Sequence, residues 1–513
     1  LPKIQPMGDV DEQDLSLSLA GTDALEDILA LPPAISPLRR RILLAKTIQA
    51  IEGFTNGFDQ ALALGDTLAS FLDQIIIEDL EFSDLSRIVP EEFSEHWQIT
   101  LDFLKILSEA WPKILNEEGV IDGADRRNRL MGILSAHWQK TRPDTPIIAA
   151  GSTGSIPATA KLLSVIAGLP NGKLVLPGLD THIDQESWNH LPASHPQYGF
   201  KTLLTNMGIG KDDVLLWPNA ADTMQARNKL ASEIMRPAET SKQWAGQYNK
   251  TPEHKQSLTE ALKGLSLVET NNQREEAAMI ALKFRETMEN KTSTAALITP
   301  DRKLARRVSS YCKRWGITVD DSAGEKLSAT SLGTYLLLPC EVAQSNMAPA
   351  ILLALLKHKY ASAGLNPARY NQNAYALDQY LLRGLAPPAG FNGLRTRYND
   401  RLTDPHAATP PDHLLEFIEV IEPLMQPFID LMVSDKPQKF ITFIKAHLEL
   451  AEAFACTDTE TGQSRLWTNE EGEAAAAFFS ELSEQSHSFD EMDGASYLRI
   501  ISHLMGDIKV RPK

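Results

Sequence analysis

Pro146-Ile147-Ile148-Ala149-Ala150-Gly151-Ser152-Thr153-Gly154-Ser155-Ile156-Pro157 is the stretch that decides the fold class. A short apolar run ends in a glycine-rich turn. A proline then stands where the first turn of a helix begins, a position that needs no backbone N–H. Helical apolar spacing follows over 157–168, and a second apolar run follows at Lys173-Leu174-Val175-Leu176. Together they predict a strand–helix–strand unit with parallel strands.

The pattern continues downstream. Val214-Leu215-Leu216-Trp217, Ser266-Leu267-Val268-Glu269, Ala295-Ala296-Leu297-Ile298-Thr299 and Ile317-Thr318-Val319 read as further strands. Helical segments near 219–235, 251–264, 273–289 and 301–315 alternate with them. Upstream, residues 1 to about 140 read as mainly helical, with apolar spacing at Leu43-Leu44, Ile48 and Ile51, and again at Leu101, Phe103-Leu104 and Ile106-Leu107. Asp9, Asp11, Glu12, Asp14, Asp23, Glu26 and Asp27 make an acidic opening, either a solvated face or a docking surface for a basic partner. A polar, turn-rich stretch over 238–253 marks a soft boundary. Beyond about 345 helices return, interrupted by Leu385-Ala386-Pro387-Pro388 and Thr409-Pro410-Pro411. The expected fold class is therefore α/β with mainly helical flanking regions.

The bulk numbers fit that reading. A chain of 513 residues has room for three to four domains of about 150 residues. With 43% hydrophobic and 23% charged residues it is neither disordered, fibrous nor membrane-embedded in composition. The net charge of -17 argues against whole-molecule attraction to nucleic acid, but a locally basic groove still sets its own field. Cys312, Cys340 and Cys456 show no CxxC spacing, which points to a reducing cytoplasm and to no zinc or iron–sulfur site. Leu1-Pro2-Lys3 and Val510-Arg511-Pro512-Lys513 read as cut ends, so a piece of a longer protein is expected.

Three segments carry residues suited to chemistry. The turn Gly151-Ser152-Thr153-Gly154-Ser155 leads into a helix N-terminus, where backbone N–H groups can meet a phosphate. It lacks the lysine and spacing of GxxxxGK[ST], since Lys161 lies a full turn into the helix. A tight structural turn and a contact to a nucleic-acid phosphate are both compatible with it. Asp180, His182 and Asp184 have the residue types of metal ligands but no third partner at helical or hairpin spacing, so a loop of satisfied polar groups is expected. His195-Pro196-Gln197-Tyr198 reads as a structural turn. Finally, Arg302-Lys303-Leu304-Ala305-Arg306-Arg307, with Lys313 and Arg314, places six basic residues against one acidic between Asp301 and Gly316. At helical spacing Leu304, Val308 and Tyr311 face inward, and Lys303, Arg306, Arg307 and Arg314 face solvent. That face is either simply solvated or a surface for a phosphate backbone. GxSxG and HExxH are both absent.

Several strings resemble the AddB family, one subunit type of the AddAB helicase–nucleases. They are the opening Leu1-Pro2-Lys3-Ile4-Gln5-Pro6-Met7-Gly8-Asp9-Val10-Asp11-Glu12, IIAAGSTGSIPATAKLL (147–163), KLVLPGLD (173–180), HPQYGFKTLL (195–204), TAALITPDRKLARRV (294–308), VDDSAG (319–324) and YLLRGLAPPAGFNGLR (380–395). They run from end to end of the chain. Arg274-Glu275-Glu276-Ala277-Ala278 through Trp315-Gly316-Ile317 also looks like the start of the second motor domain of superfamily 1, UvrD-like helicases. Where those motors keep magnesium-binding carboxylates this chain has Ala149-Ala150-Gly151, and GDxxQSIYxFRGA and NYRS are missing.

The resemblance implies a degenerate superfamily 1 helicase fold with RecA-like parallel-sheet domains and mainly helical insertions. The expected division is a helical region over 1–140, the remainder of a first RecA-like domain over 141–265, the start of a second over 266–345, and a helical insertion over 346–513. It implies a cytoplasmic subunit that guides single-stranded and forked DNA beside an AddA-type motor subunit during double-strand break repair and homologous recombination. No ATPase or nuclease site is expected in this chain, and no cofactor; magnesium belongs to the nuclease domain of longer members, as does an iron–sulfur site in some. The DNA-contact residues expected are Ser152, Thr153, Arg302, Arg306 and Arg307. A phosphate-ligand-binding α/β enzyme and a partner-docking module are the alternatives.

Overall fold

The computed structural model describes residues 4, 6, 12, 15, 16, 19–51, 55, 57–80, 106–217, 224–244 and 252–511. Of the expected features, Asp9, Asp11, Asp14, Leu101, Phe103 and Leu104 lie outside these residues. The chain divides into two compact units, Leu1–Ser36 with Ala69–Glu269, and Pro37–Leu68 with Thr270–Lys513. Helix dominates both, and among the described residues no helix is long and apolar enough to cross a membrane.

The first unit is organised around the strand–helix–strand segment. Helix α1 (Gly123–Lys140) leads to β1 (Ile147–Ala150), α2 (Pro157–Gly168), β2 (Gly172–Val175) and, after a loop, α3 (Tyr198–Met207). The strands are parallel and in register, Ile147 opposite Gly172 and Ala150 opposite Val175. Pro157 opens α2 as expected. A core forms where Leu130, Met131 and Leu134 of α1 meet Ala160, Leu163 and Ile166 of α2, with Ala149 of β1 and Leu203 of α3. Alternation along β1 buries Ala149 and leaves Ile148 exposed, so at that position one face of the sheet is covered and the other bare.

The second unit holds α4 (Gln273–Met288) and α5 (Arg302–Lys313), which pack on each other, and then a helical body including α6 (Ser331–Gln344), α7 (His413–Met432), α8 (Phe440–Ala455) and α9 (Gly494–Asp507). Its interior is aromatic: Tyr335, Tyr370, Phe417, Phe428, Phe443, Phe454 and Tyr497 are all buried. Pro339 lies inside α6, where it removes one backbone donor and crowds the preceding turn. In that stretch the Leu336 carbonyl accepts a hydrogen bond from His447 of α8, a fully buried imidazole.

The expected α/β architecture is met only in its coarse form, helices with a small parallel sheet. Four of the six expected strands, at 214–217, 266–269, 295–299 and 317–319, join no ladder. Among the described residues the sheets are the β1–β2 pair and a two-residue antiparallel pairing of Glu325–Lys326 with Lys509–Val510. The physical reason is that an apolar run makes an extended segment, whereas a strand also needs a neighbour for its N–H and C=O groups. The side chains tell the same story, for Leu215 is 91% exposed, Leu267 88% and Ile298 95%. Leu297 and Val319 do pack against the α4–α5 pair.

Candidate nucleic-acid interface

Helix α5 is built by its ends and its two faces. Asp301 caps its start, its carboxylate accepting from the Lys303 N–H at 2.8 Å and the Leu304 N–H at 3.3 Å. Its end is closed when the Trp315 and Gly316 N–H groups return to the Cys312 and Lys313 carbonyls, at 2.9 and 3.1 Å. Gly316 takes the left-handed conformation there, φ +70°, which side-chain-bearing residues seldom adopt. The inner face sets Val308 and Cys312 against Ala277 and Ala281 of α4 and against Ile317. Burial among the α4–α5 contacts pushes the Cys312 thiol pKa up, which disfavours its reactive thiolate form.

The outer face carries Lys303, Arg306, Arg307, Lys313 and Arg314, all exposed. At about 100° per residue these five fall on one side of the helix, opposite Val308 and Cys312. Their engagements differ. Arg307 donates to the Gln273 side-chain oxygen at 2.6 Å, and the Arg314 guanidinium lies 5.8 Å from the Tyr311 ring centroid. Lys303, Arg306 and Lys313 have no ion-pair partner among the described residues. Arg302, by contrast, is spoken for. It donates to both carboxylate oxygens of Asp321, at 3.0 and 2.6 Å, and to the Gly324 carbonyl at 3.1 Å. That bond holds the Asp321 carboxyl below the usual carboxylate range, against a smaller opposing effect of burial.

What marks the unpaired lysines and arginine is that they share one helix face in an acidic chain. Asp and Glu number 67 against 50 Lys and Arg, and several arginines pair with carboxylates, Arg41 with Asp66, Arg126 with Glu12, Arg236 with Glu233 and Arg395 with Glu422, whereas Arg142, Arg274 and Arg285 do not among the described residues. Keeping like charges three and four residues apart on one helix costs about 0.2–0.5 kcal/mol per pair. The cost is borne on α5 without an internal counter-ion for the three unpaired members.

The glycine turn before α2 is placed in the first unit, and with it Ser152 and Thr153; Arg302, Arg306 and Arg307 share α5 in the second. Ser152 Oγ accepts from the Gly154 N–H at 3.2 Å. Gly154 sits at φ +64°, and a Cβ on it would come within 2.9 Å of the Leu203 side chain. The Thr153 and Ser155 side chains lie 3.5 Å from where a Cβ on Gly199 would be. The turn is thus packed onto the start and middle of α3, and its glycines answer to that packing.

The remaining polar clusters have internal partners. Asp180 accepts from the His182 and Ile183 N–H groups, at 2.8 and 3.1 Å. Asp184 caps the short helix Gln185–Asn189 through Ser187 and pairs with Arg236. His195 contacts the Met235 carbonyl at 2.7 Å and accepts from the Gln197 N–H at 3.1 Å. Gln197 bridges the Asp180 N–H and the Gly178 carbonyl.

One group escaped sequence reasoning. Asp66, His503 and Asp507 bring one potential ligand atom each within 4.8 Å of one another. Arg41 donates to both carboxylates, and His503 Nε2 lies 2.6 Å from Asp66. A guanidinium therefore occupies the cationic position of this cluster. With Asp66 and His503 lying 437 positions apart, no local spacing signalled it. Compared with known proteins, the chain matches no family model and no curated protein.

Proposed function

We propose that this chain is the non-motor, DNA-binding part of a helicase–nuclease that processes double-strand breaks for recombinational repair, a cytoplasmic AddB-like subunit working beside an AddA-type motor. The observation that carries the reading is the outer face of α5, where Lys303, Arg306 and Lys313 stay without carboxylate partners in a chain of net charge -17. A face of that kind suits a polyanion whose phosphates release counter-ions on binding. Arg307 and Arg314 extend it. Arg302 is a weaker contact than its sequence position suggests, because Asp321 already holds it. The glycine turn before α2, without lysine or carboxylates, supports a motor-like scaffold that does not burn ATP. Under this reading the expected RecA-like and helical segments belong to a degenerate superfamily 1 architecture, and the unladdered apolar segments at 266–269 and 295–299 are its incomplete sheet.

The test is a salt titration of binding to a forked DNA and a single-stranded oligonucleotide, with an ATPase assay alongside. Binding should weaken linearly on logarithmic axes with salt. A Lys303→Gln, Arg306→Gln, Lys313→Gln triple variant should flatten that slope by about 2 to 3. No binding at low salt, or magnesium-dependent ATP turnover by the pure chain, overturns the reading.

A further inference from the structure

Resting on that DNA-binding reading, we propose that Trp315 is a base-stacking platform for single-stranded nucleic acid at the end of the basic helix. Trp315 directly follows Lys313 and Arg314 and is 36% exposed, although an indole buries more favourably than almost any other side chain. Its backbone is pinned by the hydrogen bond to Cys312 and by the left-handed turn at Gly316, so the ring keeps a defined place without being packed away. The Arg285 guanidinium of α4 lies 5.6 Å from the ring centroid, a cation–π arrangement that orients the indole. Arg285 itself is exposed, has no carboxylate partner among the described residues, and keeps donors for a phosphate.

An aromatic ring beside a run of lysines and arginines is the combination that holds an unpaired strand: the charges track the backbone, and the ring takes the face of a base. A base inside a duplex already has both faces stacked and offers none. The platform therefore distinguishes strand type, which the charges of α5 alone cannot do.

The experiment measures affinity of the wild-type chain and of Trp315→Ala and Trp315→Phe for three probes: polythymidine, its abasic counterpart, and a blunt duplex. Thermal melts confirm that each variant is folded. Trp315→Ala should lose about tenfold or more on polythymidine and nothing on the abasic strand or the duplex. Trp315→Phe should keep most of the affinity. An equal loss on all three probes, or no loss on polythymidine, overturns the stacking role while the DNA-binding reading stands. If the wild-type chain binds none of the probes at low salt, both fail together.

Discussion

The Tyr497 hydroxyl donates to Nδ1 of His447 at 2.9 Å, deep in the second unit. The geometry fixes the tautomer, because Nε2 lies 2.6 Å from the Leu336 carbonyl, which can only accept, and so Nε2 bears the proton. The ring thereby ties α8 and α9 to the proline-containing stretch of α6. Phe428 stacks on it at 5.4 Å between centroids. Replacing His447 by leucine would strand a buried hydroxyl and a buried carbonyl at once. A loss of about 2–4 kcal/mol is expected, read from the urea midpoint.

The same histidine makes stability depend on pH. Burial pushes its pKa from 6.5 down to about 4, the bond to the Leu336 carbonyl opposing the shift only in part. Above about pH 6.5 the ring is neutral whether the chain is folded or not, and contributes no slope. As pH falls below that value the unfolded chain takes up a proton that the folded one refuses. Stability should drop progressively down to about pH 4, by roughly 3 kcal/mol in all. Urea unfolding at a series of pH values checks this, and the histidine-dependent part of the slope should vanish in His447→Gln.

Asp321 restrains Arg302 next to the basic face. Asp321→Asn should release the guanidinium and remove an opposing charge, tightening polythymidine binding at low salt by about threefold. The pair is largely exposed, so stability should change by under about 1 kcal/mol and the melting temperature should barely move. Weaker binding in the variant would contradict the role given to α5.

Gly154 meets two constraints together, a left-handed backbone and the nearness of Leu203. Gly154→Ala should cost about 1–3 kcal/mol. Adding Leu203→Ala should recover little, since the backbone strain remains and a cavity is opened; denaturation of the single and double variants separates the two contributions.

Arg41 serves two carboxylates, Asp66 and Asp507, from a half-buried position. Arg41→Gln should cost about 2 kcal/mol by leaving Asp66 and Asp507 to repel each other. Divalent cations should raise the melting temperature of this variant more than that of the wild type, as thermal shift with manganese or zinc would show.

Local patterns in the sequence recovered what local physics decides. Pro157 after a glycine-rich turn located α2, and the run through Leu174 located its parallel partner strand. The amphipathic spacing of Leu304, Val308 and Tyr311 against Lys303, Arg306 and Arg307 located α5 and its two faces, although the residue fully buried at that end is Cys312, with Tyr311 only partly covered. Partnership was not legible. Leu215, Leu267 and Ile298 have the composition of strand residues, but whether a neighbour exists is a property of the whole chain. The engagement of Arg302 depends on Asp321, nineteen positions away across a turn, and the Arg41 cluster closes over more than four hundred residues. Trp315 read as part of a family-like string, and only its surroundings showed that the ring is left uncovered.

The bare run around Ile298 has a practical consequence for anyone concentrating the protein. An extended apolar stretch that joins no ladder among the described residues is a seed for strand addition between molecules, the first step toward fibrillar precipitate. The neighbouring Leu297 packs inward while Ile298 points out, so a single lysine in place of Ile298 would act as a gatekeeper without touching the α4–α5 packing.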